Sequence, residues 1–204
     1  MDKNKLKEKY NLCRFDNIIL FAERLSEVKN LKLLLESFAL VENTLEDIAL
    51  VIAGRGDKEW EIKLLSQKMD IKNVILTGEV SPEKMPEIYN CADVVALTSW
   101  YEASPTVVKE ALACGVPVVS TNVGDVSEII TDPQLGTVVD EYDEKLFADA
   151  LIKTIEMTKA IPEEVRKKCR EIALERFGFN KVAKEFLAVY EKAMTMRGAK
   201  IKTK

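Results

Sequence analysis

The chain has 204 residues, of which 47% are hydrophobic and 31% charged, and this balance predicts a soluble globular protein with a sizeable core. Its formal net charge of -4 supplies no long-range attraction to nucleic acid or to anionic membranes, so neither is expected as a partner of this chain. Histidine is absent, which excludes Ser-His and Cys-His nucleophile pairs and histidine-based metal sites. Any chemistry must therefore rest on carboxylates, Arg, Lys and backbone amides, or on groups from another polypeptide.

The N-terminal residues and the cysteines indicate the compartment. The first ten residues, MDKNKLKEKY, contain no apolar stretch of the kind found in a signal peptide, and no run of the chain approaches the ~20 apolar residues of a membrane span. The four cysteines, Cys13, Cys91, Cys114 and Cys169, show no CxxC spacing, as expected of unpaired thiols in a reducing compartment. We therefore expect a cytoplasmic protein.

Short β-branched runs alternate with longer periodic segments from residue 17 to about residue 140. The short runs are nearly all apolar, which is typical of parallel strands covered on both faces. The predicted strands are 17–22, 48–53, 73–78, 93–98, 116–121 and 136–140, and the predicted helices between them include 57–69, 83–90, 105–114 and 125–130. Leu31, Leu34, Leu35 and Phe38 are spaced at i, i+3, i+4 and i+7, which adds a helix after the first strand. This alternation predicts an α/β fold with a Rossmann-like, doubly wound parallel sheet of about six strands.

Three consecutive amphipathic helices are predicted after about residue 143. Their segments read DEKLFADALIKTIEM, PEEVRKKCREIALERF and NKVAKEFLAVYEKAM. Pro162 suits the first turn of the second helix, and Gly178 suits its end. Because no linker, internal repeat or low-complexity segment interrupts the chain, we expect residues 1–204 to form one domain.

Ligands of open parallel sheets bind at the carboxyl ends of the strands, so the loops that follow the strands are the candidate sites. In the second such loop, AGRGDKEWE, Gly54 and Gly56 lack the third glycine of a dinucleotide fingerprint, since Glu59 occupies that position. A tight turn and a ligand contact at Gly54 both remain open. In the first loop, ERLSEVKN, Arg24 and Lys29 flank a predicted helix start, an arrangement that suits a diphosphate.

The stretch YEASPTVVKE predicts a more specific anion site. Ser104 is expected to cap the following helix and Pro105 to occupy its first position. The amides of Thr106, Val107 and Val108 would then lack intrahelical partners and point out of the positive end of the helix. A diphosphate is an anion that such a site can bind.

Two glutamates flank this predicted anion site. Glu102 lies at its entry, where a carboxylate should face a neutral, hydroxyl-rich group rather than a phosphate. Glu110 lies further along the helix, where a carboxylate can accept two hydrogen bonds from a vicinal diol such as a ribose. The order diol, phosphate, sugar is that of a nucleotide sugar, but the residues alone leave open that Glu110 simply occupies a solvated helix face.

Four segments together resemble the C-terminal, donor-binding domain of the GT-B fold glycosyltransferases, specifically the retaining family 4. They are ERLSEVKNLKLLLESF, LVIAGRGD, the run from NVILTGEVS to GVPVVST, and VGDVSEII. The similarity extends from roughly residue 15 to 190, and the two glutamates eight positions apart are its most specific signature. Residues 1–15 then resemble a lead-in from the interdomain linker, and residues 179–196 resemble the closing helix that reaches the N-terminal domain.

The resemblance implies roles for individual residues. Arg24 and Lys29 match the basic pair that neutralises the donor diphosphate, Glu102 matches the carboxylate that contacts the transferred sugar, and Glu110 matches the one that holds the ribose. Site residues implied besides these are Ser104, Thr106 and Val107 at the phosphate-binding helix start, Glu79 and Val80 beside the base, and Gly54 in the second loop. No metal is implied. The ligand implied is a UDP-, GDP- or ADP-sugar that serves as donor substrate, with no tightly bound cofactor.

The chain departs from the family pattern at four positions. The family usually has glycine before the Arg and after the Lys, where this chain has Glu23 and Asn30. It usually reads Glu-Gly-Phe in the opening motif, where Ala103 and Ser104 follow Glu102 here. These departures bear on how closely the backbone approaches the donor.

Members of the family are about twice as long as this chain, with the acceptor site in an N-terminal domain. The resemblance therefore implies an N-terminal partner domain, weak nucleotide binding without sugar transfer by this chain alone, and peripheral association of the intact enzyme with the inner face of a membrane. Two alternatives stay open, a sugar-nucleotide epimerase of the GT-B type and a non-catalytic nucleotide-sugar binding subunit of a split transferase.

Overall fold

One parallel sheet organises residues 2–196, the part of the chain that the computed structural model describes. Its strands are β1 Asn17–Ala22, β2 Ile48–Ala53, β3 Val74–Gly78, β4 Val94–Leu97, β5 Val118–Thr121 and β6 Gly136–Val139. All neighbours pair in parallel, in the order β3-β2-β1-β4-β5-β6. The predicted α/β fold with a doubly wound sheet of six strands is confirmed.

The strand boundaries differ from the predicted ones in four strands, and at both ends of β4 polar side chains bond to other segments. β1 and β2 have the predicted bounds, whereas the other four strands are shorter by one or two residues. Asp93 precedes β4, and its Oδ2 accepts a hydrogen bond from the Ile18 amide at 2.8 Å. Thr98 follows β4, and its Oγ1 donates to the Lys29 carbonyl at 2.8 Å. The Asp93 amide also donates to the Ile18 carbonyl at 2.9 Å, so its backbone and its side chain both bond to β1.

Helices cover both faces of the sheet. Within the described residues they are α1 Lys3–Lys9, α2 Leu31–Glu42, α3 Glu59–Lys68, α4 Met85–Cys91, α5 Thr106–Ala113, α6 Val126–Ile129, α7 Glu144–Ala160, α8 Pro162–Phe177 and α9 Phe179–Met196. The predicted helices are confirmed, with ends that shift by at most three residues. The sequence prediction missed α1, which begins because the Asp2 side chain accepts hydrogen bonds from the amides of Asn4 and Lys5.

The alternating side chains of the strands form two apolar cores. In β1, Ile18 and Leu20 face one core, while Ile19 and Phe21 face the other. The first core packs against α5 and α8, and the second packs against α2 and α7. Burial on both sides explains why these strands read as continuous apolar runs in the sequence.

The three predicted C-terminal helices are α7, α8 and α9. Pro162 is the first residue of α8, and Gly178 separates α8 from α9, as predicted. α9 leaves a row of large apolar side chains exposed, namely Phe179, Phe186, Leu187, Val189, Tyr190 and Met194. In residues 2–196, no helix combines the length and apolar composition needed to cross a membrane.

Candidate functional site

The loops after β1 and β4 meet at the switch point of the sheet, because β1 pairs with β2 on one side and with β4 on the other. The Trp100 amide donates to the Val28 carbonyl at 2.8 Å, which ties the two loops together by their backbones. The predicted site residues of ERLSEVKN and of YEASP therefore lie side by side. This is where open parallel sheets bind their ligands.

Lys29 joins the two loops through its side chain. Its ammonium lies 2.5 Å from Glu102 Oε1 and 2.6 Å from Glu23 Oε2. Glu102 Oε1 also accepts a hydrogen bond from Ser99 Oγ at 2.9 Å. All three charged side chains are largely buried, with exposed fractions of 13% for Lys29, 15% for Glu23 and 19% for Glu102. The sequence prediction missed Glu23, which follows the strand directly and was noted only as a missing glycine.

The titration of this cluster follows from its burial and its two negative charges. Burial alone would lower the pKa of Lys29, but the hydrogen bonds from Lys29 to Glu102 and Glu23 outweigh it and raise that pKa. Burial raises the pKa of Glu23, with a further rise from the negative charges of Glu102 and Glu110, and the contact with Lys29 only partly offsets this. Lys29 therefore stays charged at neutral pH, and the Glu23 carboxylate accepts a proton more readily than an ordinary glutamate does.

Arg24 lies in a different environment from Lys29, although the two were predicted as a pair. The Arg24 side chain is exposed, and no carboxylate of the described residues lies within 4.0 Å of it. Its guanidinium is thus available to an anion from solvent, whereas Lys29 already contacts two carboxylates.

Asn30 stands where the family pattern usually has a glycine, and it adopts a backbone conformation that glycine favours. Its φ of 48° and ψ of 57° place it in the left-handed region, which asparagine tolerates better than most residues. Its side chain also caps α2 by accepting a hydrogen bond from the Leu33 amide at 3.3 Å. The loss of glycine at this position is therefore compensated locally.

The start of α5 differs from the prediction. Pro105 is the N-cap residue rather than the first helical residue, and the prediction that Ser104 caps the helix is wrong. Ser104 Oγ instead donates to Asp125 Oδ2 at 2.6 Å and accepts from Lys109 Nζ at 2.5 Å. No side chain of the described residues caps the helix, so its first amides remain open to a ligand.

Those first amides belong to residues with contrasting side chains. Thr106 is exposed, whereas Val107 packs into the core, so α5 is held by its apolar face while its N-terminus reaches the site. The apolar face thus fixes the helix whose N-terminus follows the loop that carries Glu102.

Glu110 and Val80 line the same pocket, although they come from different motifs. The pocket has a volume of about 380 Å³, and its lining residues are Val80, Pro82, Met85, Pro86, Tyr89, Glu110, Ala113 and Cys114. Tyr89 Oη donates a hydrogen bond to Glu110 Oε2 at 2.9 Å. Burial, followed by the negative charge of Glu110, strongly raises the pKa of this phenol, so it remains a donor at every physiological pH. Sequence analysis missed Tyr89, because a buried tyrosine on a helix resembles any core aromatic.

The two glycines after β2 have a packing role. A Cβ atom on Gly54 would lie 2.0 Å from the Glu23 carbonyl oxygen, and one on Gly56 would lie 1.9 Å from the Leu25 carbonyl oxygen. The second loop therefore packs directly on the first, which favours the tight-turn interpretation of Gly54. Gly54 also borders a pocket of about 420 Å³ with Arg55 and Gly78, whereas Glu79 is exposed beyond it.

In residues 2–196, no group of three carboxylate or cysteine side chains is arranged to hold a metal ion. The polar groups that the strand ends bring together are ammonium, guanidinium, carboxylate and helix amides. Such a set can bind a diphosphate and hydroxyl groups on either side of it.

The family model described as Glycosyl transferases group 1 matches residues 2–176. The chain belongs to this family. The glycosyl transferases group 1 match includes β1 to β6 and all the predicted site residues. It ends one residue before the end of α8, so α9 lies outside it.

Curated relatives match most of this glycosyl transferases group 1 chain. A lipopolysaccharide 1,2-N-acetylglucosaminetransferase from Salmonella typhimurium is 28% identical, over 90% of this chain and 50% of its own length. A D-inositol 3-phosphate glycosyltransferase from Xylanimonas cellulosilytica is 29% identical, over 97% of this chain and 48% of its own length. The chain spans about half the length of the curated relatives it matches.

Solved structures share the fold at lower identity. HepE from Anabaena, solved in complex with UDP-glucose, has a TM-score of 0.81 at 21% identity, over 93% of this chain and 52% of its own. Sucrose-phosphate synthase from Thermosynechococcus elongatus also has a TM-score of 0.81, at 22% identity. These similarities place the group 1 chain in the GT-B type of fold.

Proposed function

We propose that this chain is the donor-binding, C-terminal domain of a retaining family 4 glycosyltransferase, which transfers a sugar from a nucleoside diphosphate sugar to a glycan, lipid or other acceptor. One observation carries the proposal. Glu102 and Glu110 lie on either side of the uncapped start of α5, with the Lys29 ammonium beside the first and the Val80 pocket beside the second. The UDP-glucose complex of HepE, a protein with the same fold, agrees with this ligand class.

The diphosphate would bind between the first loop and α5. Arg24 is exposed and unpaired among residues 2–196, and Lys29 lies in the same loop after β1, so both can reach an anion there. The amides of Thr106 and Val107, with the Ser104 hydroxyl beside them, would hold the phosphate oxygens.

The two ends of the donor would lie on opposite sides of that diphosphate. Glu102 would contact the hydroxyls of the transferred sugar, and Glu110 would accept hydrogen bonds from the ribose diol. The pocket beside Glu110 would hold the base, with Val80 and Glu79 contributing mainly backbone contacts. Gly54 would shape the first loop by close packing, since a Cβ atom at this position would collide with the Glu23 carbonyl oxygen.

The reaction breaks the bond between the anomeric carbon and the diphosphate. Negative charge then develops on the departing oxygen, and cationic and backbone donors held in place beforehand stabilise it. Arg24, Lys29 and the start of α5 would supply these donors. Retention at the anomeric carbon is part of the proposal and rests on the family resemblance.

The acceptor half would come from an N-terminal GT-B domain, on the same polypeptide or on a partner chain. The coverage of about half of each curated relative supports this, as does the exposed apolar row of α9, which would pack on that domain. The chain alone would then bind nucleotide in the cytoplasm and transfer no sugar. The intact enzyme would work in the cytoplasm or at the inner face of a membrane.

Calorimetric titration with UDP, GDP, ADP and their sugars tests the proposal. A charge-assisted contact contributes roughly 1.5–3 kcal/mol, so Arg24→Ala and Glu110→Ala should each weaken binding by roughly tenfold to a hundredfold. Unchanged affinity in both variants would contradict the site. Co-purification with a separate chain that carries the N-terminal domain would indicate a split enzyme. Turnover of the sugar nucleotide by the intact protein without an acceptor would indicate an epimerase.

A further inference from the structure

Glu23 places a second carboxylate against the ammonium that the donor diphosphate would use. Lys29 lies 2.6 Å from Glu23 Oε2 and 2.5 Å from Glu102 Oε1, so the cluster of one cation and two carboxylates has a net negative charge when both acids are ionised. Glu102 has a further donor in Ser99, at 2.9 Å. The structure records Lys29 as the cationic partner of Glu23. Glu23 therefore depends on Lys29 more than Glu102 does.

Nothing in the backbone requires a special residue at position 23. Glu23 is absent from the four described non-glycine residues with positive φ, which are Asn11, Asn30, Asp47 and Asp70. The side chain, rather than the conformation, is thus what distinguishes this position. The close approach of Gly54 to the Glu23 carbonyl holds the backbone in place, so the carboxylate is directed at Lys29 by a rigid loop.

We propose that Glu23 is a specificity-determining residue that competes with the phosphates for Lys29 and so weakens binding of the product nucleoside diphosphate more than binding of the donor. The inference rests on the proposed function. In a nucleotide sugar, one phosphate is esterified to the ribose and the other to the transferred sugar. The released nucleoside diphosphate instead has a free terminal phosphate, whose second pKa is about 6. Above that pH the product carries one more negative charge than the donor, and the repulsion from Glu23 acts on that charge.

The groups around Glu23 make this competition responsive to protons. The charged and titratable side chains that face it are Lys29 from the first loop, Glu102 from the loop after β4, Glu110 from α5 and Tyr89 from α4. Burial already raises the pKa of Glu23, and the arrival of a diphosphate raises it further. Binding therefore takes up a proton at pH values between the free and bound pKa of Glu23, and the affinity of the unaltered chain falls as pH rises through that range.

The test measures affinities of the unaltered chain and of Glu23→Gln at pH 8 in low salt. UDP with UDP-glucose, GDP with GDP-mannose and ADP with ADP-glucose are the probes, and the pair that binds is used throughout. Glu23→Gln should increase the affinity for the nucleoside diphosphate about tenfold and the affinity for the sugar nucleotide about threefold, because only the diphosphate carries the extra charge. Glu27→Gln is the matched control, since Glu27 is an exposed carboxylate of the same loop that pairs with Lys58. It should alter both affinities equally and slightly.

A second measurement needs no variant. The heat of sugar-nucleotide binding to the unaltered chain, compared between buffers of different ionisation enthalpy, reports proton uptake, which should occur at pH values above the ordinary pKa of a glutamate. Thermal denaturation checks that Glu23→Gln folds, and Glu23→Gly, which restores the residue usual in the family, should shift the affinities in the same direction.

Binding without proton uptake, together with equal changes of both affinities in Glu23→Gln, would overturn the inference and leave the proposed function intact. Failure of every nucleotide to bind would overturn both.

Discussion

Tyr89 in α4 donates its phenol hydrogen to Glu110 in α5 over 2.9 Å, so the carboxylate proposed to hold the ribose has its orientation set by a fully buried side chain. Removing this hydroxyl leaves Glu110 in place but free to rotate. A hydrogen bond of this kind contributes about 1 kcal/mol, so Tyr89→Phe should weaken nucleotide binding roughly fivefold in calorimetry. Tyr10→Phe is the control, because Tyr10 makes the same contact with Glu87 outside the site. An equal loss in both variants would show that the effect is not local.

The role of Glu110 can be tested through the ligand as well as the protein. If Glu110 accepts hydrogen bonds from the ribose diol, the unaltered chain should bind a nucleoside diphosphate more tightly than its 2′-deoxy analogue, by roughly tenfold. Glu110→Ala should bind the two equally, because the group that distinguishes them is gone. Discrimination that persists in Glu110→Ala would assign the ribose contact to another residue.

Arg24 and Lys29 should differ in their effect on stability, although both variants should weaken binding. Lys29→Ala leaves Glu23 and Glu102 close together without their cation, so the free energy of unfolding should fall by about 2 kcal/mol. Arg24 is exposed, and Arg24→Ala should leave unfolding within about 0.5 kcal/mol of the unaltered chain. Urea denaturation measures both, with the exposed Lys68→Ala as a charge control. Equal destabilisation by the two substitutions would contradict the observed difference in environment.

Asn30 and Ser104 should also behave differently, because only Asn30 caps a helix. Asn30→Ala removes the cap of α2 and forces alanine into the left-handed region, which should cost about 1–3 kcal/mol of stability, whereas Asn30→Gly should cost little. Ser104→Ala removes a surface contact with Asp125 and should change the free energy of unfolding by less than about 0.5 kcal/mol. A loss near 1 kcal/mol in Ser104→Ala would mean that Ser104 caps α5 after all.

Stability should depend on pH through Glu23. Its pKa is raised above the ordinary 4.5 in the folded chain, so the folded state binds the proton more tightly than the unfolded state does. The contribution of Glu23 to stability is therefore present at low pH and decreases as pH rises from 4.5 through the folded pKa. Thermal denaturation should show the melting temperature of the unaltered chain falling relative to Glu23→Gln over this range. A melting temperature of the unaltered chain that rises with pH relative to Glu23→Gln would reverse the assignment.

The sequence was most informative where structure follows from local pattern. The limits of β1 and β2 were predicted correctly, because unbroken apolar runs are buried on both faces whatever their neighbours. Predictions failed at element ends. There, Asp2, Asp93 and Thr98 each form side-chain contacts that no periodicity encodes, and Ser104 turns to Asp125 in another loop instead of capping its own helix.

The sequence by itself determined the order of strands and helices, the family and the residue types available for chemistry, since hydrophobic spacing and short motifs are properties of neighbouring residues. Only the tertiary structure decided which of those residues meet. Lys29 and Glu102 are 73 positions apart, and they come together because β1 pairs in parallel with β4. Glu23 and Lys29 meet within the loop that follows β1, while Arg24, next to Glu23 in that loop, is exposed.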